Sequence, residues 1–141
     1  MKERAHVRSF ESIQVGDHES IECPITEEII ASFAEMSGDQ NPLHVDDAYA
    51  AGTPFRKRIV HGMLLGAFVS QLIGMKLPGN NALLVKESLE FKKPAYIGDV
   101  VTVRGVVTHK SDATSLIELE FTIVRGDETL VVGNALVRVL A

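Results

Sequence analysis

Residues 62–76 read GMLLGAFVSQLIGMK, with no charge before Lys76. As a helix rising 1.5 Å per residue, the stretch is about 22 Å long. A surface helix carries a polar stripe opposite its apolar one, and here only Ser70 and Gln71 could supply it. Other structure must therefore wrap around this helix. Leu77-Pro78-Gly79-Asn80 ends it. Ser70, Gln71 and Lys76 also keep it short of the roughly 20 apolar residues that cross a bilayer.

The wrapping is expected from the C-terminal half, where the pattern changes to a period of two. In LVKESLEF, Val85, Leu89 and Phe91 share one face and Lys86, Ser88 and Glu90 the other, with Glu87 interrupting the apolar side. Pro94 and Gly98-Asp99 mark a connection, and VVTVRGVVTH follows with Gly105 expected as a bulge. LIELEFTIV alternates cleanly, with Ile117, Leu119, Phe121 and Ile123 on one face. Gly126-Asp127 turns the chain into a last strand, ETLVVGNALVRVL. The economical burial of such a sheet is against the apolar helix. The expected fold is α+β: a hot dog, a curled antiparallel sheet wrapped around a long central helix, formed by residues 1–141 as one domain.

The N-terminal half fits around this frame. DHESIEC at 17–23 predicts a short strand. TEEIIASFAEMSG predicts a helix with Thr26 as N-cap, an apolar stripe of Ile29, Ile30, Phe33 and Met36, and Gly38 as its stop. DQNPLHVDD predicts a loop, then a short helix through DAYAA capped by Asp46 or Asp47. The net charge of −5 argues against an electrostatic grip on nucleic acid. One cysteine permits no intrachain disulfide and no Cys-rich zinc site. The start of the chain lacks the apolar run of a signal peptide, so the expected location is cytoplasmic, with no membrane partner.

Chemistry is densest in Ser37-Gly38-Asp39-Gln40-Asn41-Pro42-Leu43-His44. A carboxylate and an imidazole five residues apart in a turn can hold a water and move protons near neutral pH. The same residues also suit a plainer reading, in which Asp39 caps a turn and His44 lies on the surface. At Ile59-Val60-His61-Gly62-Met63 the apolar helix begins, and free N–H groups there favour an oxygen that gathers negative charge. Gly62 either opens its amide to a ligand or only permits a sharp turn into the helix; His61 reads as a packed or capping residue. His44 with Asp39, Asp46 and Asp47 lacks metal-ligand spacing, and no metal is expected. Arg56-Lys57-Arg58 and Lys92-Lys93 are the tight basic groups, solvated or placed to meet ligand phosphates.

Gly38-Asp39-Gln40-Asn41-Pro42-Leu43-His44 followed by Ile59-Val60-His61-Gly62-Met63 resembles the MaoC-like, or hydratase 2, family, close to its short single-domain (R)-specific enoyl-CoA hydratases. The likeness continues through Leu77-Pro78-Gly79 and Phe91-Lys92-Lys93-Pro94-Ala95-Tyr96-Ile97-Gly98-Asp99, with Asn80-Asn81 in place of small residues. The resemblance implies a dimeric hot dog that adds water reversibly across a trans-2-enoyl thioester. Asp39 and His44 would hold the water, Asn41 would order the loop and water site, and Gly62 would give its amide to the thioester oxygen. Arg56, Lys57, Arg58, Lys92 and Lys93 become candidate contacts for the CoA phosphates. No cofactor is implied, the CoA or acyl carrier arm being part of the substrate. The alternatives are a 3-hydroxyacyl-ACP dehydratase, a hot-dog acyl-CoA thioesterase and a non-catalytic acyl-thioester-binding protein.

Overall fold

A computed structural model describes residues 2–141. Strand β1 (His18–Pro24) leads through helix α1 (Glu27–Ser37) and two short helices, α2 (Pro42–Val45) and α3 (Asp47–Ala51), to the long helix α4 (Gly62–Met75). Strands β2 (Ala82–Phe91), β3 (Val100–Ser111), β4 (Leu116–Arg125) and β5 (Glu128–Val139) complete the chain. The sheet order is β1-β3-β4-β5-β2, antiparallel throughout. This is the hot-dog arrangement. Leu64, Leu65, Phe68, Val69, Leu72 and Ile73 of α4 are buried in one core with Val101, Val103, Ile117, Leu119, Ile123 and Val137 of the sheet. No helix among the described residues is long and apolar enough to cross a membrane.

Thr26 accepts the Ile29 N–H at 3.2 Å, and Gly38 closes α1 in the left-handed region at φ 78°. The α1 stripe differs from expectation at Met36, which is 74% exposed, while Ala34 is buried. The helix packs on the Ile30–Ala34 line, and its last turn extends beyond the core. The expected loop at 39–47 contains the single helical turn of α2, because Asn41 caps it and Pro42 starts it without needing an N–H partner.

Gly105 is not a bulge. It pairs in register with Glu19 and Phe121, and a Cβ there would lie 2.9 Å from Leu72 Cδ2 of α4. The glycine therefore lets the helix lie against the sheet. The register breaks instead between Val107 and His109, and again between Leu84 and Lys86. The second break leaves Val85 unpaired and outside the regular alternation that carries Leu89 and Phe91. Asn80 and Asn81 bind the N-terminal arm: the Asn80 N–H donates to the His6 carbonyl, and Asn81 Nδ2 to that of Arg8, both at 2.9 Å.

Candidate active site

The segment after α1 is shaped by short-range bonds. The Asp39 N–H donates to Ser37 Oγ at 3.1 Å, the Asn41 N–H to Asp39 Oδ1 at 3.2 Å, and the Leu43 N–H to Asn41 Oδ1 at 3.0 Å. One turn of α2 then brings His44 back over Asp39. Asp39 thus uses one carboxylate oxygen, Oδ1, to hold the turn. His44 Nδ1 lies 2.8 Å from the Ile59 carbonyl oxygen. A carbonyl only accepts, so the proton of the neutral ring is on Nδ1 and Nε2 presents a lone pair.

Residues 59–60 are held by an antiparallel bridge from Ile59 to Tyr96 and by the Val60 N–H on the Ala95 carbonyl at 2.8 Å. This fixes where α4 begins. No side chain caps that end, so the Gly62 N–H is available to a ligand. His61 is packed, as its sequence setting suggests. Its ring lies under His44, with centroids 4.0 Å apart and planes 27° from parallel, and its Nε2 is 3.0 Å from the Asp39 carbonyl.

One side-chain atom from each of Asp39, His44 and His61 lies within 4.8 Å of the others. A water making two bonds of about 2.8 Å at a tetrahedral angle bridges atoms about 4.6 Å apart, a separation within the 4.8 Å that encloses these atoms. A metal fits less well. An ion lies in the plane of each imidazole that binds it, and two rings stacked this nearly parallel cannot both aim a nitrogen at one ion about 2.0–2.1 Å away.

A cleft of about 290 Å³ opens beside this cluster, lined by His44, Gly62, Phe55, Leu65, Phe91 and the Lys92–Ala95 segment among others. Phe91 and Phe55, neither of them a candidate site residue in the sequence, form part of its wall. A Cβ on Gly62 would lie 3.1 Å from Phe91 Cε1, so the ring covers the glycine closely. Lys92 and Lys93 border the cleft, and their partners Glu90 and Glu128 are solvent-facing. Lys57 lies over the Tyr96 ring at 4.2 Å, and Arg56 is exposed. Arg58 departs from the expectation of a phosphate contact. Its guanidinium is largely buried, donates to Glu27 at 2.5 Å and Asp47 at 2.8 Å, and reaches the His44 carbonyl at 3.3 Å. The hydrogen bond to Glu27 leads the causes that raise its pKa. Arg58 therefore ties α1, α2 and α3 together. A wider trough of about 860 Å³, bordered by Arg104, Glu120 and Asn134, contains no member of the Asp39–His44–His61 cluster.

Residues 12–127 match the MaoC like domain family. The chain belongs to the MaoC-like family. Among its relatives, this MaoC-like protein is 39% identical to the (R)-specific enoyl-CoA hydratase of Rhodospirillum rubrum, over 94% of this chain and 92% of that one. It is 37% identical to the 3-hydroxybutyryl-CoA dehydratase of Methylorubrum extorquens, over 92% and 83%. Its fold superposes on the (R)-hydratase from A. caviae involved in PHA biosynthesis with a TM-score of 0.88 and 38% identity, covering 92% of this chain and 98% of that one.

Proposed function

We propose that this MaoC-like protein is an (R)-specific enoyl-CoA hydratase, a hydro-lyase that adds water reversibly to trans-2-enoyl thioesters and gives (R)-3-hydroxyacyl thioesters. The observation that carries the reading is the convergence of an Asp39 carboxylate oxygen and a His44 nitrogen to within 4.8 Å of each other, next to a start of α4 that no side chain caps. Near-full-length relatives named for both directions of this reaction support it. In the hydration direction the Asp39–His44 pair takes one proton from the water as its oxygen attacks C3. The pair returns a proton to C2 on the same face. Negative charge gathers on the thioester oxygen, where the Gly62 N–H stabilises it. Asn41 holds the turn that aims Asp39. Each of these groups is a side chain or an amide of the protein itself; CoA enters and leaves as part of the substrate. Lys92 and Lys93 at the cleft, and Lys57 over the Tyr96 ring, are the basic groups suited to its phosphates.

We further propose that residues 1–141 act as one domain and pair as a homodimer through the β2 edge. The test of the activity is hydration of crotonyl-CoA, followed by loss of the enoyl absorbance. Asp39→Asn and His44→Ala are each expected to lower kcat by roughly 10²–10⁴, the usual worth of a positioned acid or base. Near-wild-type rates in either folded variant remove that residue from the mechanism. Release of free thiol in place of hydration identifies attack at C1, the thioesterase outcome.

A further inference from the structure

We infer that His61 is a positioning residue for the Asp39–His44 pair, acting through its Nε2 proton on the Asp39 backbone and through its ring face on the His44 imidazole. The inference rests on the hydratase reading, which gives that pair its task. His61 is 1% exposed, the one buried polar side chain among the described residues. Buried polar atoms are normally all partnered. Here only Nε2 is, 3.0 Å from the Asp39 carbonyl, while Nδ1 is buried without a partner. The carbonyl accepts, so the proton is on Nε2. An apolar side chain of similar size would fill the same space and leave no unsatisfied nitrogen. Packing alone therefore does not account for an imidazole at this position.

What the imidazole adds is a link between the two halves of the site. Its ring centroid lies 4.9 Å from that of Phe33 and 4.0 Å from that of His44. Its in-plane bond holds the backbone of the residue that supplies the carboxylate. Its face sets the plane of the ring that supplies the nitrogen lone pair, while Ile59 holds the far edge of that ring. In a turnover where His44 is the member of the pair that takes the proton, the new positive charge lies over the π face of the His61 ring, which favours it. That charge exists only during turnover, so the contribution belongs to kcat and not to substrate binding.

The test combines steady-state hydration of crotonyl-CoA by His61→Phe and His61→Gln with nitrogen NMR of the unmodified protein carrying ¹⁵N-histidine. His61→Phe keeps a ring face but has no proton to donate. It is expected to lose roughly 10–100-fold in kcat, the scale of a misplaced catalytic group, with KM within about twofold. His61→Gln restores an N–H near the Nε2 position and is expected to recover part of that loss. The wild-type spectrum is expected to show His61 in the Nε2–H tautomer, a readout that requires no variant to fold. A folded Phe variant with wild-type kcat, a loss carried by KM alone, no recovery with Gln, or an Nδ1–H tautomer would each overturn the inference. Failure of the hydratase reading looks different: the wild-type protein itself would leave crotonyl-CoA unchanged while the tautomer stayed as expected.

Discussion

At the scale of single residues, the site separates what lies close in sequence from what does not. Gly38, Asp39, Asn41, Pro42 and His44 are legible because each shapes a turn that the next one needs, and the whole set spans seven positions. Gly62 is legible as a helix start. Its packing is not, because Phe91 covers it from 29 residues away with no spacing signal to announce it. The contact changes what a substitution tests. In Gly62→Ala the added Cβ meets the Phe91 ring first, and Phe91, 48% exposed, has room to give by a few tenths of an ångström. The variant is expected to fold, by unchanged circular dichroism, and to lose about 10²–10³ in kcat/KM as the amide and the cleft wall move off line. The double variant Gly62→Ala with Phe91→Leu removes the crowding and is expected to regain part of the rate. Wild-type kcat/KM in folded Gly62→Ala makes Gly62 a structural glycine only. Arg58 shows the same limit: three basic residues in a row suggest a phosphate site, yet the partner that claims Arg58 is Glu27, 31 residues earlier.

At the scale of elements, alternation marks β4 and β5 because each strand has one buried face, and the lack of charge marks α4 because it is enclosed. Bulges are not legible, being properties of the backbone pairing and not of composition. Glu87 lies between these cases. The sequence shows a carboxylate interrupting the apolar side of β2, and the structure keeps it there, opposite Ala135 and with Oε2 4.0 Å from where a Cβ on Gly66 would be. Its Oε1 is buried without a partner, and burial raises its pKa. The folded state then holds this proton more tightly than the unfolded state does. Stability should fall as pH rises from the ordinary glutamate range through the raised value, and the loss persists above it. Glu87→Gln removes the ionisation. Thermal melts across that interval are expected to show the variant gaining on wild type as pH rises, with the advantage held at neutral pH. Parallel curves for the two proteins would show that Glu87 is solvated enough to ionise freely.

At the scale of the whole molecule, the sheet has two free edges, β1 and β2, and they are not alike. β1 alternates exposed His18, Ser20 and Glu22 with buried or partly buried positions, so its outward side chains are polar. β2 exposes Leu83, Leu84, Val85 and Phe91 along ten residues, and Met63 of α4 is exposed as well. A long apolar edge with unpaired backbone groups invites association unless something covers it. A second copy meeting it about a two-fold axis gives each edge an identical, self-complementary partner and closes the assembly at two. Phe91 belongs both to this edge and to the cleft beside Gly62, so the proposed pairing through β2 would couple assembly to the cleft through one ring. Light scattering at micromolar concentration is expected to give the mass of two chains. Leu84→Asp, which sets a charge on each copy at the edge, is expected to shift the mass toward one chain and to lower kcat as the Phe91 wall loosens. A single-chain mass for the wild-type protein with full hydratase activity would separate the site from the edge and leave β2 without a partner of its own kind.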